Sequence, residues 1–155
     1  MQHYPNYIND KGKKEKVDVT KIKEYGFEYN NIQFTYQLIK WDVNSAFGTI
    51  GEIEGFCKLI IDGKCKLYYN FEQVKGTFGG QKVATNYLIV KGDSKPYIFN
   101  NSTGGKMIEK MQNKTTLEDY FSNCENLVTK LKKKEFKKDK YIESVKYYNE
   151  NCGDK

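Results

Sequence analysis

The sequence predicts an α+β protein: an antiparallel β-sheet built of hairpins, followed by a C-terminal helical hairpin. Three observations carry this. Apolar and polar residues alternate with period two in runs separated by Asn-Asn, Asp-Gly and Gly-Asp-Ser turn signals. From Thr115 onward the apolar residues recur at helical spacing instead. Aromatics make up 15% of the chain, with 13 Tyr and 9 Phe, which suits strands and half-buried surfaces and argues against disorder despite a low mean hydropathy. A chain of 155 residues is long enough to bury a core without a metal. The predicted division is a flexible, lysine-rich segment at 1–16, an antiparallel β domain at 17–112, and a helical segment at 113–155 packed on the sheet.

The first hairpin is EYGFEYNNIQFTYQ, residues 24–37. Asn tolerates positive φ, so Asn30-Asn31 suits a two-residue turn. That turn sets Tyr29 opposite Ile32, Phe27 opposite Phe34 and Tyr25 opposite Tyr36, with all six on one face. Glu28, Gln33, Thr35 and Gln37 take the other face. Residues 40–51 read as irregular, broken by Gly48 and Gly51. EIEGFCKLIIDGKCKLYYNF, residues 52–71, turns at Asp62-Gly63. A three-residue loop places Leu59 opposite Cys65 and Cys57 opposite Leu67, giving one apolar face. Residues 72–82 hold three glycines and read as a mobile loop. Strands are expected at 83–92 and 95–100. MIEKM, 107–111, fits a short strand or a helix start. The aromatic face of 25–36 and the apolar face of 57–69 should pack together or against the helices.

In the helical segment, Thr115 or Thr116 can cap a helix with Glu118 and Asp119 in its first turn. Leu117, Tyr120 and Phe121 share its face. Asn123 can cap the next helix, whose stripe is Leu127, Val128 and Leu131. Asp139 can cap the last, which carries Ile142, Val145 and Tyr148 or Tyr141.

The formal net charge is +6, and every basic residue is Lys. Without Arg the chain lacks the bidentate fork that reads guanine edges and grips phosphates. A solvated lysine surface accounts for such a charge. The densest cluster runs from Lys130 to Lys140. Lysines can hold phosphates without sequence preference, but these crowd a turn and no aromatic ladder accompanies them. No run of about 18 apolar residues spans a bilayer, and the polar start MQHYPNYIND shows no signal peptide.

Four cysteines with a single histidine, His3, and no C-x-x-C spacing do not make a zinc site. No cofactor is expected. Cys57 and Cys65 read as small core residues, the alternative being a diagonal cross-strand disulfide. Cys124 and Cys152 bracket the two arms of the helical hairpin. The arms are nearly equal in length, so the start of one meets the end of the other. A disulfide there implies an oxidising compartment; the alternative is two unrelated thiols. Motifs that suggest catalysis lack their partners. Gly92-Asp93-Ser94 needs a histidine base, and His3 lies on a polar tail. Ser102-Thr103-Gly104-Gly105-Lys106 lacks the upstream glycine of a phosphate loop, with Met107 where Ser or Thr would hold Mg²⁺. Glu52 and Glu54 suit an exposed strand face as well as acid-base work.

Several stretches together resemble small exported proteins of Bacteroidota, especially flavobacteria. DVTKIKEYGFEYNN is similar to their "x-D-I-K-G-F-x-x-N-G-K" segment, and FCKLIIDGKCKLYYNF to their "F-L-E-V-L-V-x-G-K-V-x-L-Y-x-Y" hairpin. YLIVKG and the Lys-Pro-Tyr-Ile strand resemble their "Y-F-I-x-K" strand. LEDYFSNCENLVTKLKKKEFKKDKYIESVKYYNENC resembles their cysteine-bracketed ending, with Asn123 where an Asp is usual. The resemblance spans residues 17 to 152 and implies a periplasmic or cell-envelope location, with no assigned activity. The expected function is a non-catalytic envelope module that binds a protein partner or surface component. Its partner-binding candidates are Phe78, Lys132, Lys133, Lys134, Phe136 and Lys137. The alternatives are a lysine-mediated nucleic-acid binder, a small enzyme with a carboxylate/Tyr site, and a cytoplasmic location.

Overall fold

The computed structural model describes residues 6–8, 11–16, 18, 21–45, 48–75, 81–100, 109, 113, 115–136 and 140–152. Strands β1 (Asn6–Ile8) and β2 (Lys14–Lys16) pair as a small separate sheet within the segment expected to be flexible. Six strands then follow one another across a single antiparallel sheet: β3 (Glu24–Tyr29), β4 (Ile32–Ser45), β5 (Gly48–Ile61), β6 (Cys65–Lys75), β7 (Gln81–Lys91) and β8 (Tyr97–Asn100). Three helices come after them: α1 (Leu117–Tyr120), α2 (Glu125–Lys132) and α3 (Lys140–Asn151). The α+β class and the sheet-then-helices order are as the sequence predicts.

The first hairpin matches its expected register. Asn30 and Asn31 both take positive φ, 51° and 61°, and Tyr29 pairs with Ile32, Phe27 with Phe34 and Tyr25 with Tyr36. Three expectations need correction. The 40–51 stretch is not irregular: β4 and β5 remain paired to Ser45 and Gly48, with a bulge at Val43/Asn44 beside Gly51. Glycine here accommodates a bulge and does not end a strand. The loop expected at 72–82 is shorter, since β6 and β7 stay paired to Lys75 and Gln81; residues 76–80 lie outside the described residues. The β5–β6 register also differs, with Ile61 opposite Leu67 and Leu59 opposite Tyr68. The shift between Leu59 and Ile61 lets Ile60 bulge, so β5 sends apolar side chains to both faces.

The two buried thiols therefore lie on opposite sides of the sheet. Cys65 joins Leu67, Ile89, Tyr97 and Phe99 under the helices. Cys57 joins Trp41, Tyr68, Leu88 and Ile98 on the other face. Neither is in a disulfide, which excludes the diagonal bond. The helical layer contributes Leu117, Phe121, Leu127, Leu131, Val145 and Tyr148 to the first cluster.

Specific polar contacts set where the helices sit. Thr116 caps α1 in a capping box with Asp119. Asn123 does not cap α2; its Nδ2 donates to the Tyr148 hydroxyl at 2.7 Å and its Oδ1 accepts from Lys91 Nζ at 3.0 Å. Cys124 occupies the cap position without a side-chain bond. The cap expected from Asp139 lies outside the described residues. The Tyr120 hydroxyl donates to the Ile89 carbonyl at 3.0 Å, placing α1 over β7. At the β5–β6 turn, the Asn149 amide both accepts from Cys65 N–H and donates to Cys65 C=O, each at 2.8 Å, placing α3 there. A Cβ on Gly63 would meet that amide at 2.5 Å, so the turn needs glycine.

Cys124 and Cys152 are joined by a disulfide, with Cα atoms 5.7 Å apart, tying the start of α2 to the end of α3. Lys134 closes α2 at φ 55°, while Lys134 N–H and Glu135 N–H donate back to the Leu131 and Lys130 carbonyls at 3.0 Å. That closure usually takes glycine, because a Cβ is strained in the left-handed region. Lys134→Gly is expected to raise stability by about 0.5–1 kcal/mol, read from urea denaturation; a loss would show that the lysine side chain holds the turn.

Candidate functional site

The helices cover only one half of their face of the sheet, because both anchors pull them onto β6–β8. Among the described residues, Ile61 is the one side chain of β3, β4 and β5 packed against the helix-side core. The rest of that half of the face carries the aromatic ladder of the first hairpin, which the sequence places in the core. Instead, Phe27 is 48% exposed, Tyr29 65% and Ile32 56%. The ladder packs on itself. Tyr25 stacks on Tyr36 with centroids 5.0 Å apart, and Phe27 on Phe34 at 5.1 Å. The Phe56 ring from β5 meets Tyr25 edge-on at 4.9 Å. Lys58 Nζ lies 4.4 Å from the Phe34 ring centre, a cation–π contact. Partial burial, and then the neighbouring Tyr36, raise the Tyr25 hydroxyl above its usual range. Stacking holds these rings in place before anything binds, so docking on them orders few further rotamers.

On the other face of β3, and further along β4 and β5, the chemistry changes. Glu24 and Glu28 are exposed on the opposite face of β3. Glu24 accepts a hydrogen bond from the Gln37 amide. Lys40 on β4 pairs with Glu54 at 3.3 Å. An apolar centre with a polar, charged rim is the composition of a protein interface.

The candidates named from sequence fall elsewhere. Lys132, Lys133 and Lys134 are exposed at the end of α2. Lys130 pairs with Glu135 at 2.7 Å. Phe136 is half-buried, turned toward Tyr147 with centroids 6.3 Å apart. Phe78 and Lys137 lie outside the described residues. The lysines and Phe136 thus surround the turn of a stapled hairpin.

Two other features could hold chemistry. A cavity of about 560 Å³ opens beside β8, lined in part by Asp42, Lys91, Lys95, Asn113, Asp119 and Tyr120. Its polar groups serve the fold. Lys95 bonds Asp42 at 2.7 Å. Asn113 bonds both backbone groups of Ile98. Asp119 is in the α1 capping box, where the Thr116 hydroxyl holds its carboxyl below the usual range. Lys91 Nζ donates to the Tyr120 carbonyl at 2.7 Å, and burial lowers its ammonium. The second feature is Glu109, which accepts from the Tyr97 hydroxyl at 2.8 Å and the Tyr141 hydroxyl at 2.6 Å. Burial, followed by these bonds to Glu109, raises both phenols, so they stay protonated donors. The trio ties Glu109 to β8 and α3. Among the described residues, no group of His, Cys, Asp and Glu could hold a metal ion, and no helix is long and apolar enough to cross a membrane.

No protein-family model, curated protein or solved structure matches the chain.

Proposed function

We propose that this protein is a non-catalytic module of the cell envelope that binds a protein partner through the open aromatic half-face. The carrying observation is the exposure of Phe27, Tyr29 and Ile32 on a ladder already ordered by stacking. Contiguous exposed rings of this kind mark interaction surfaces, and aromatic anchors dominate binding energy. The Cys124–Cys152 disulfide supports an oxidising compartment, as does the resemblance to exported proteins. At the alternative surface, the lysine turn, Phe136 is half-buried against Tyr147 and is not presented like the exposed ladder rings.

The test is a double substitution. Phe27→Ala with Tyr29→Ala is expected to weaken partner binding at least tenfold while leaving the melting temperature within a few degrees, because both rings are on the surface. Binding is read by titration against the partner purified on the native protein. Undiminished binding by the double variant would move the site elsewhere. A hydrolytic activity abolished by one carboxylate change, such as Asp119→Asn, would overturn the non-catalytic reading.

A further inference from the structure

We propose that the β3 edge receives the partner as an added strand, with apolar residues laid on the aromatic ladder and alternate basic residues facing Glu24 and Glu28. This rests on the aromatic half-face being the binding surface.

β3 ends the sheet, with β4 on one side and no described strand on the other. In a two-residue hairpin the residues flanking the turn exchange both hydrogen bonds, and the pattern alternates from there. With Tyr29 opposite Ile32, the backbone groups of Tyr29, Phe27 and Tyr25 point to β4. Those of Glu24, Gly26 and Glu28 point outward, with no strand partner among the described residues. Gly26 sits at the centre of this edge and does not take positive φ. A Cβ there would meet the Phe34 carbonyl of β4 at 3.1 Å, so this glycine answers to β4 and leaves the outward backbone groups clear.

Charge selects the occupant. Exposed edges are commonly guarded by lysine. This chain has 26 lysines and places none within Glu24–Tyr29. It places two glutamates there, and neither forms an ion pair with a described lysine. On a chain of net charge +6 this is a local acidic stripe. A strand alternating apolar residues with Lys or Arg complements both faces at once, because side chains alternate with period two. A second copy of β3 fits less well. Antiparallel self-pairing centred on Gly26 sets Glu24 against Glu28 at both ends, and like charges directly opposite are unfavourable.

The probes are two end-blocked octapeptides, one alternating valine and lysine, the other valine and glutamate, titrated into the full chain by fluorescence anisotropy. Non-specific attraction to a +6 protein favours the glutamate peptide, so the expected preference runs against net charge. The valine–lysine peptide should bind at least tenfold more tightly. Glu24→Lys with Glu28→Lys should reverse the preference, and Phe27→Ala should weaken both at least tenfold. Glu28→Pro removes an outward N–H and should abolish binding. A preference for the glutamate peptide, or one unchanged by Glu24→Lys with Glu28→Lys, would overturn strand addition. If neither peptide binds but the Phe27→Ala, Tyr29→Ala variant still loses its partner, the aromatic face stands and the added strand fails. A concentration-dependent dimer that excludes the peptide would assign the edge to a second copy and also overturn it.

Discussion

Replacing Cys124 and Cys152 together by alanine is expected to lower stability by roughly 3.5 kcal/mol on the chain-entropy model. The bond closes a loop of 28 residues of sequence separation. In a chain of this size that corresponds to a fall in melting temperature of about 10 °C. Few other restraints hold the two helices to each other, because the core stripe of α2 is short, with only Leu127 and Leu131 buried. The wild-type protein melted in reductant should behave like the double variant. Unchanged melting in reductant would mean that packing alone holds the hairpin. The same bond carries the compartment reading: natively produced protein, denatured and alkylated without reductant, should take up label at Cys57 and Cys65 alone. Label on all four cysteines would place the chain in a reducing compartment and return attention to Lys132–Lys134.

The second large effect is alkaline unfolding. Burial pushes the Tyr68 phenol up to about 12. Burial likewise raises Tyr97 and Tyr141, with their bonds to Glu109 adding to it, and raises Tyr120. Unfolded phenols ionise near pH 10. Above that pH the unfolded chain gives up protons that the native state keeps, so stability is whole below pH 10 and falls as pH rises toward 12. Each such group removes about 1.4 kcal/mol per pH unit over that window. Circular dichroism should therefore collapse in step with a cooperative rise in phenolate absorbance from these four tyrosines. Full ionisation of all phenols near pH 10 with an unchanged fold would contradict this packing.

The first hairpin was readable from sequence because Asn30-Asn31 and strict alternation specify one register. So was the Cys124–Cys152 pair, because two helical arms of similar length bring their outer ends together. The β5–β6 register was not readable. A bulge at Ile60 leaves the composition of the strand unchanged yet turns Ile61 to the face opposite Leu59. Gly48 and Gly51 read as breakers because sequence alone cannot tell a glycine that ends a strand from one that relaxes a long twisted hairpin. The anchoring amides of Asn113, Asn123 and Asn149 carried no signal at all, since an asparagine far along the chain does not disclose which backbone groups it will satisfy.

That last failure also hid the exposed aromatic face. Alternation puts Tyr25, Phe27 and Tyr29 on one side of a strand, but it does not say which half of the sheet the helices will cover. Asn149 at the β5–β6 turn and Tyr120 at β7 decide that, and they leave the ladder open. The usable signal was the absence of lysine from EYGFEY in a lysine-rich chain. The lysine turn is the most strongly charged stretch, and its geometry is that of a stapled helix end.

Site-specific photocrosslinking in the producing cell tests the central claim most directly. A benzophenone side chain is placed in turn at Tyr29, on the aromatic face, and at Lys133, on the hairpin turn. The aromatic-face reading predicts one discrete protein adduct from position 29 and none from position 133. An adduct from position 133 with none from position 29 would contradict it and make the lysine turn the binding surface.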